Sequence, residues 1–152
     1  LGGGRQAGAT ILRILIADDN EMVRRGVARL LSSEPNWQIC GEAADGSETV
    51  RKARELLPDL ILLDISMPGI NGLEVSRLLR QQVPQARILV ISQHDPIQLL
   101  PRVLAAGGDA CVDKSCLATD LLASIRNIGA AGIDGSKTMP GTPQAATGFP
   151  SK

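Results

Sequence analysis

Short aliphatic runs and helical periods take turns along most of this chain. Ile11–Ala17, Trp37–Ala43, Asp59–Leu63, Arg87–Ile91 and Ala110–Val112 read as strands. Three of them are unbroken aliphatic runs, the pattern of strands covered on both faces. Between the runs, apolar residues recur at helical spacing. The groups are Val23, Val27, Leu30 and Leu31; Val50, Ala53, Leu56 and Leu57; Val75, Leu78 and Leu79; Leu99, Leu100, Val103 and Leu104; and Leu121, Leu122, Ile125 and Ile128. Start signals agree with these helices. Asp45 with Glu48, and Asn71 with Glu74, have capping-box spacing. Asp95-Pro96 sets a capping carboxylate before a proline suited to a first helical turn. Five strands alternating with five helices predict an α/β fold: a doubly wound five-stranded parallel sheet with right-handed crossovers.

The alternation occupies residues 11–129, enough chain for one domain with a full core and no covalent staples. Residues 1–10 are Gly-rich and read as a disordered segment. Residues 130–152 turn to Gly, Ala, Ser, Thr and Pro, a composition that buries too little apolar area to offset ordering, and read as a flexible tail or linker. Acidic and basic residues balance at sixteen each, with no basic stripe for nucleic acid and no polybasic run for a membrane surface. No apolar stretch is long enough to span a bilayer, and no signal peptide is visible. Trp37 and Phe149 are the only aromatic residues, so Leu, Ile, Val and Ala must build the core. Cys40, Cys111 and Cys116 lack metal or redox spacing and read as small buried hydrophobes of a reducing, cytoplasmic protein.

In an open parallel sheet, ligands bind beyond the carboxyl ends of the strands. Asp18 and Asp19 end the first run, Asp64 the third, Ser92 the fourth and Lys114 the fifth. Any one of these alone would be an ordinary cap, loop or surface residue. Together they bring three carboxylates, a hydroxyl and an ammonium to one crevice. Clustered carboxylates raise each other's pKa unless a positive charge intervenes, and Mg²⁺ is the hard, oxygen-seeking cation that does so. Asp64 could then act as a carboxylate nucleophile toward phosphorus, with Lys114 and Ser92 contacting the phosphoryl oxygens. His94 is the sole histidine, which gives a histidine phosphocarrier or a catalytic triad little support.

The segments ILIADDNEMVRRGVARLL, PDLILLDISMPGINGLEV, ILVISQHD and AAGGDACVDKS, in that order, resemble a bacterial two-component response-regulator receiver domain of the CheY-like type. The resemblance runs from Ile11 to Ile128. It implies the flavodoxin-like strand order 2-1-3-4-5 with five helices. It also implies Asp64 as phosphoacceptor, Asp18 and Asp19 as the acidic pair that binds Mg²⁺ with Asp64, and a backbone carbonyl of Ser66 completing the metal site. Ser92 is the implied switch hydroxyl and Lys114 the implied phosphoryl contact. Two positions depart from the pattern. Cys111 stands where relatives usually carry an aromatic ring that turns inward on activation, and Ser115 follows the lysine where proline is common. Ser115, with RRGVARLL and GEAADGSETV, is similar to receivers of LuxR/NarL-type regulators.

The resemblance implies a phosphorelay switch, not an enzyme with an external substrate. It would be phosphorylated by a sensor histidine kinase with Mg²⁺ and only slowly self-hydrolysing. The expected output is transcription regulation through a DNA-binding domain outside this chain, with DNA contacted only through that domain. A homodimer is one expected consequence of activation, and no membrane partner is expected. The alternatives are a stand-alone receiver acting by protein contacts and an aspartyl-phosphate hydrolase. Hydrolases of the haloacid-dehalogenase type place a second Asp two residues after the nucleophile, and Ser66 stands there instead.

Overall fold

A computed structural model describes residues 10–134. Five strands, β1 (Leu12–Ala17), β2 (Trp37–Ala43), β3 (Leu60–Asp64), β4 (Arg87–Ser92) and β5 (Ala110–Asp113), alternate with five α-helices. These are α1 (Glu21–Leu31), α2 (Gly46–Leu56), α3 (Gly72–Gln82), α4 (Pro96–Ala105) and α5 (Leu117–Asp134). The strands pair parallel in the order β2-β1-β3-β4-β5, as the resemblance implies. Helix α5 continues to Asp134, five residues into the segment read as tail; Ala130 and Ala131 favour its prolongation. Residues 1–9 and 135–152, which carry the remaining expectations for the ends of the chain, lie outside the described residues.

Strand alternation sorts the aliphatic side chains into two layers. Leu15, Ile61, Leu63, Ile88 and Val90 face α2, α3 and α4, where Ala53, Leu79 and Val103 meet them. Ile14, Ile16, Leu60, Leu62, Leu89 and Val112 face α1 and α5, against Val27, Leu31, Leu121 and Ile125. The central strand β3 is buried along its whole length, which explains its unbroken aliphatic run.

One irregularity changes this sorting. Ile14 pairs with Ile39, but Leu15 pairs with Gly41, so Cys40 is an extra residue in β2. The bulge flips the strand's later residues. Ile39 packs with the α1/α5 layer, whereas Ala43 belongs to the α2/α3/α4 layer. Gly41 faces α2 as well: a Cβ there would come within 2.7 Å of the Leu56 side chain.

The first four α-helices each open on an Asn or Asp whose side chain accepts backbone N–H groups of the first turn. Asn20 serves α1, Asp45 α2, Asn71 α3 and Asp95 α4. The capping box of α2 is one residue offset, since Glu48 reaches back to the N–H of Ala44. In α3 only half of the box forms, because Glu74 pairs with Arg77. At the opposite edge of the sheet, Arg80 donates to the carbonyls of Pro84, Ala86 and Gly107 and to Asp109, which also accepts from the N–H of Ile88. Trp37 lies at a corner, its ring 6.0 Å from the guanidinium of Arg126 on α5, which also pairs with Glu34.

Gly72 opens α3 against the loop that follows Asp64. A Cβ at this position would lie 2.3 Å from Cα of Ile65 and 2.7 Å from its carbonyl oxygen, so backbone and not a pliable side chain must shift. Gly72→Ala is expected to lower stability by about 1–3 kcal/mol, as overpacking does. A urea unfolding midpoint equal to that of the parent chain would contradict this account of the loop.

Candidate functional site

All three expected carboxylates and the lysine meet at the carboxyl edge of the sheet. Asp18 follows β1, Asp64 is the last residue of β3, and Lys114 opens a short 3₁₀ turn immediately after β5. Nζ of Lys114 lies 3.1 Å from an oxygen of Asp64 and 3.1 Å from one of Asp18. Asp18 and Asp64 are buried, whereas Asp19 is exposed. One oxygen from each of the three carboxylates lies within 4.8 Å of the others.

The hydrogen bonds around these acids are uneven. Oδ1 of Asp18 accepts the N–H of Asn20 at 2.9 Å. Oδ1 of Asp64 accepts from both the N–H and the hydroxyl of Ser66, at 3.0 and 2.8 Å. Oδ2 of Asp18 is buried without a hydrogen-bond partner, although the ammonium of Lys114 is at ion-pair distance. A buried oxygen in that state is costly unless another positive group reaches it. Burial pushes the Asp18 carboxyl above its ordinary pKa; the Asn20 N–H and Lys114 oppose the shift, and the charge of Asp64 adds to it. For Lys114, burial pulls the pKa down, but its hydrogen bond to Asp64 and its ion pair with Asp18 outweigh this and hold the ammonium above its ordinary value. Three carboxylates against one ammonium leave two negative charges uncompensated. Hard oxygen donors, an orphaned buried oxygen and that deficit together suit a divalent cation.

Ser92 and Cys111 occupy the other side of the sheet. Ser92 lies two residues beyond Val90 and is buried, and Cys111 packs against the same α2/α3/α4 layer. Asp18 and Asp64 follow Ile16 and Leu62, which face α1 and α5. The Ser92 hydroxyl oxygen accepts the N–H of His94 at 2.9 Å; among the described residues no hydrogen bond joins it to Asp64. Burial pushes the Cys111 thiol up to about 11, so it fills space as a neutral group.

No peptide bond is cis among the described residues, and the bond between Lys114 and Ser115 is trans. Ser115 supplies what proline would lack. Its N–H and hydroxyl donate to Asp113 Oδ1 at 2.9 and 2.7 Å, and this turn aims Lys114 at the acids.

Sequence reading missed the Ser66 hydroxyl, the Ser92–His94 contact and Arg24. The last is largely buried on α1 and donates to the Asp18 carbonyl at 2.8 Å. Local signals exist for the first two, because serine and aspartate at strand ends favour turns that capture nearby N–H groups. None exists for Arg24, whose partners come from the residue after β1 and from β2.

Residues 14–126 match the family model described as the response regulator receiver domain. The chain is 34% identical over 116 residues to the response regulator GacA of Pseudomonas viridiflava, covering 76% of this chain and 54% of the relative. It is 36% identical over 115 residues to the transcriptional activator protein ExaE of Pseudomonas putida, again covering 76% of this chain and 54% of the relative. It thus spans about half the length of the curated relatives it matches. Among solved structures, the signal receiver domain of the putative response regulator NarL from Mycobacterium tuberculosis superposes with a TM-score of 0.73 at 30% identity, over 80% of this chain and 98% of that one. A LuxR-family two-component response regulator from Aurantimonas gives 0.72 at 31% identity, over 86% and 91%. The chain belongs to the response regulator receiver domain family and is similar to the receivers of LuxR/NarL-type regulators.

Proposed function

We propose that this receiver takes a phosphoryl group on Asp64 from the phosphohistidine of a sensor kinase and passes the signal on through α4 and β5. The triangle of Lys114, Asp64 and Asp18 carries the reading. It places a buried carboxylate beside an ammonium and an oxygen that lacks a hydrogen-bond partner. Asp18, Asp19 and Asp64 would hold Mg²⁺, with the Ser66 carbonyl as a further ligand. When bound, Mg²⁺ supplies the positive charge that lets an anionic phosphodonor approach an anionic pocket.

In the transfer, a carboxylate oxygen of Asp64 forms a bond to phosphorus as the P–N bond of the donor breaks. The departing imidazole keeps the electron pair and takes up a proton. Lys114 exchanges part of its bond with Asp64 for a phosphoryl oxygen. The product is an acyl phosphate that this chain hydrolyses only slowly, as a switch and not as a turnover enzyme. Transcription control through a DNA-binding output domain is the role we assign to the whole regulator, in keeping with its similarity to the transcriptional activator protein ExaE, with a homodimer as one form of the active state. Three cysteines without disulfides, and no helix among the described residues long and apolar enough to cross a membrane, suit action in the cytoplasm.

Incubation with acetyl phosphate and Mg²⁺ is expected to add one phosphoryl group, labile to base and hydroxylamine. Asp64→Asn removes it, since an amide is a poor nucleophile. Mass spectrometry finding the same modification in the Asn variant would place the acceptor elsewhere.

The link to α4 follows from Ser92. A Ser92 hydroxyl drawn toward the phosphoryl group gives up the His94 N–H, in the loop that leads into α4 at Asp95. Cys111 is too small to fill the vacated space with a ring. Amide exchange with beryllofluoride and Mg²⁺ should therefore change at His94 and along Ile97–Leu104. Changes restricted to the loops bearing Asp18 and Asp64 would rule out this route.

A further inference from the structure

Resting on the phosphoacceptor reading, we infer that Arg24 is a positioning residue for the acidic pair, and that the ion pair with Glu42 lets it act without adding net positive charge at the site. The Asp18 peptide lies just beyond β1 and is held on both sides. Its N–H donates to the Ala43 carbonyl of β2 at 3.0 Å, and its carbonyl accepts from Nη1 of Arg24 at 2.8 Å. With the Asn20 N–H on Oδ1, three contacts fix the short backbone link that carries both Asp18 and Asp19. An ionised donor makes this carbonyl contact stronger than a neutral one would.

A bare guanidinium beside carboxylates that must collect a cation would compete with that cation. Here Nε of Arg24 is bonded to Oε1 of Glu42 at 2.7 Å, and the side chain is only 17% exposed. Glu42 is available because of the bulge at Cys40. Regular alternation from Ile39 would turn residue 42 toward α2; the extra residue turns it toward α1, where Arg24 lies. The Glu42 carbonyl is itself held by Nζ of Lys52 at 2.5 Å. Arg24 thus acts on Asp18 and Asp19 through the backbone, while Glu42 cancels its charge.

The test uses the full chain and measures Mg²⁺ binding by calorimetry without any phosphodonor, together with the Mg²⁺ dependence of labelling by acetyl phosphate. Arg24→Gln should raise the Mg²⁺ Kd about tenfold, the size of effect seen when support behind a metal ligand is lost. The labelling rate at saturating Mg²⁺ should stay close to that of the parent. Arg24→Lys, which keeps a charged donor, should recover part of the affinity. Glu42→Gln should also weaken binding, and the double variant should be no worse than Arg24→Gln, because the two residues act as one unit. If Arg24→Gln fails to fold, Arg24→Lys and Glu42→Gln decide the matter. Parent-like Mg²⁺ affinity in the variants, or a loss of labelling that saturating Mg²⁺ does not restore, overturns the role of Arg24 and leaves the phosphoacceptor reading intact. A parent chain that neither binds Mg²⁺ nor becomes labelled removes both.

Discussion

Two carboxylates, those of Asp18 and Asp64, are withdrawn almost completely from water and share one ammonium. Desolvation penalises each charge, and each carboxylate penalises the other. The arrangement persists because the surrounding chain supplies compensation at fixed points. Asn20 and Ser66 donate to the two Oδ1 atoms, and the Asp113 turn holds Lys114 between the acids. The Asn20 N–H and the turns at Ser66 and Ser115 are what keep these like charges close.

The sheet also divides the chemistry. Asp18 and Asp64 step in phase with the layer under α1 and α5, whereas Ser92 and Cys111 step in phase with the layer under α3 and α4. The two sides adjoin at the paired ends of β3 and β4, where Asp64 sits opposite Ile91 and Ser92 follows. The partition has a rigid floor. Arg80 and Asp109 tie α3, β4 and the loop before β5 together at the opposite edge.

Most of this was legible in the sequence, for identifiable reasons. Unbroken aliphatic runs marked the strands, and open parallel sheets bind at strand ends, so Asp18, Asp19, Asp64, Ser92 and Lys114 could be named from spacing alone. Features that depend on backbone geometry were not legible. The β2 run from Trp37 to Ala43 reads as one strand whether or not it contains a bulge, so nothing announces which way Glu42 points. Arg24 looks like any polar residue on an amphipathic helix until its two partners, the Asp18 carbonyl and Glu42, are in place. Proline is common after the lysine in relatives, but that Ser115 uses the N–H that proline lacks is visible only in the folded turn.

The bulge gives β2 an unusual tolerance to change. Cys40 occupies no rung of the pairing with β1, so its only contribution to the strand is a half-step in phase. Many side chains of modest size could replace Cys40 and leave the phase intact. Loss of that one residue would leave Ile39, Gly41, Glu42 and Ala43 opposite Ile14, Leu15, Ile16 and Ala17, each on its present face. Length is therefore freer at position 40 than elsewhere in the strand, and what related chains should keep is the seating of Glu42 and Ala43 opposite the end of β1.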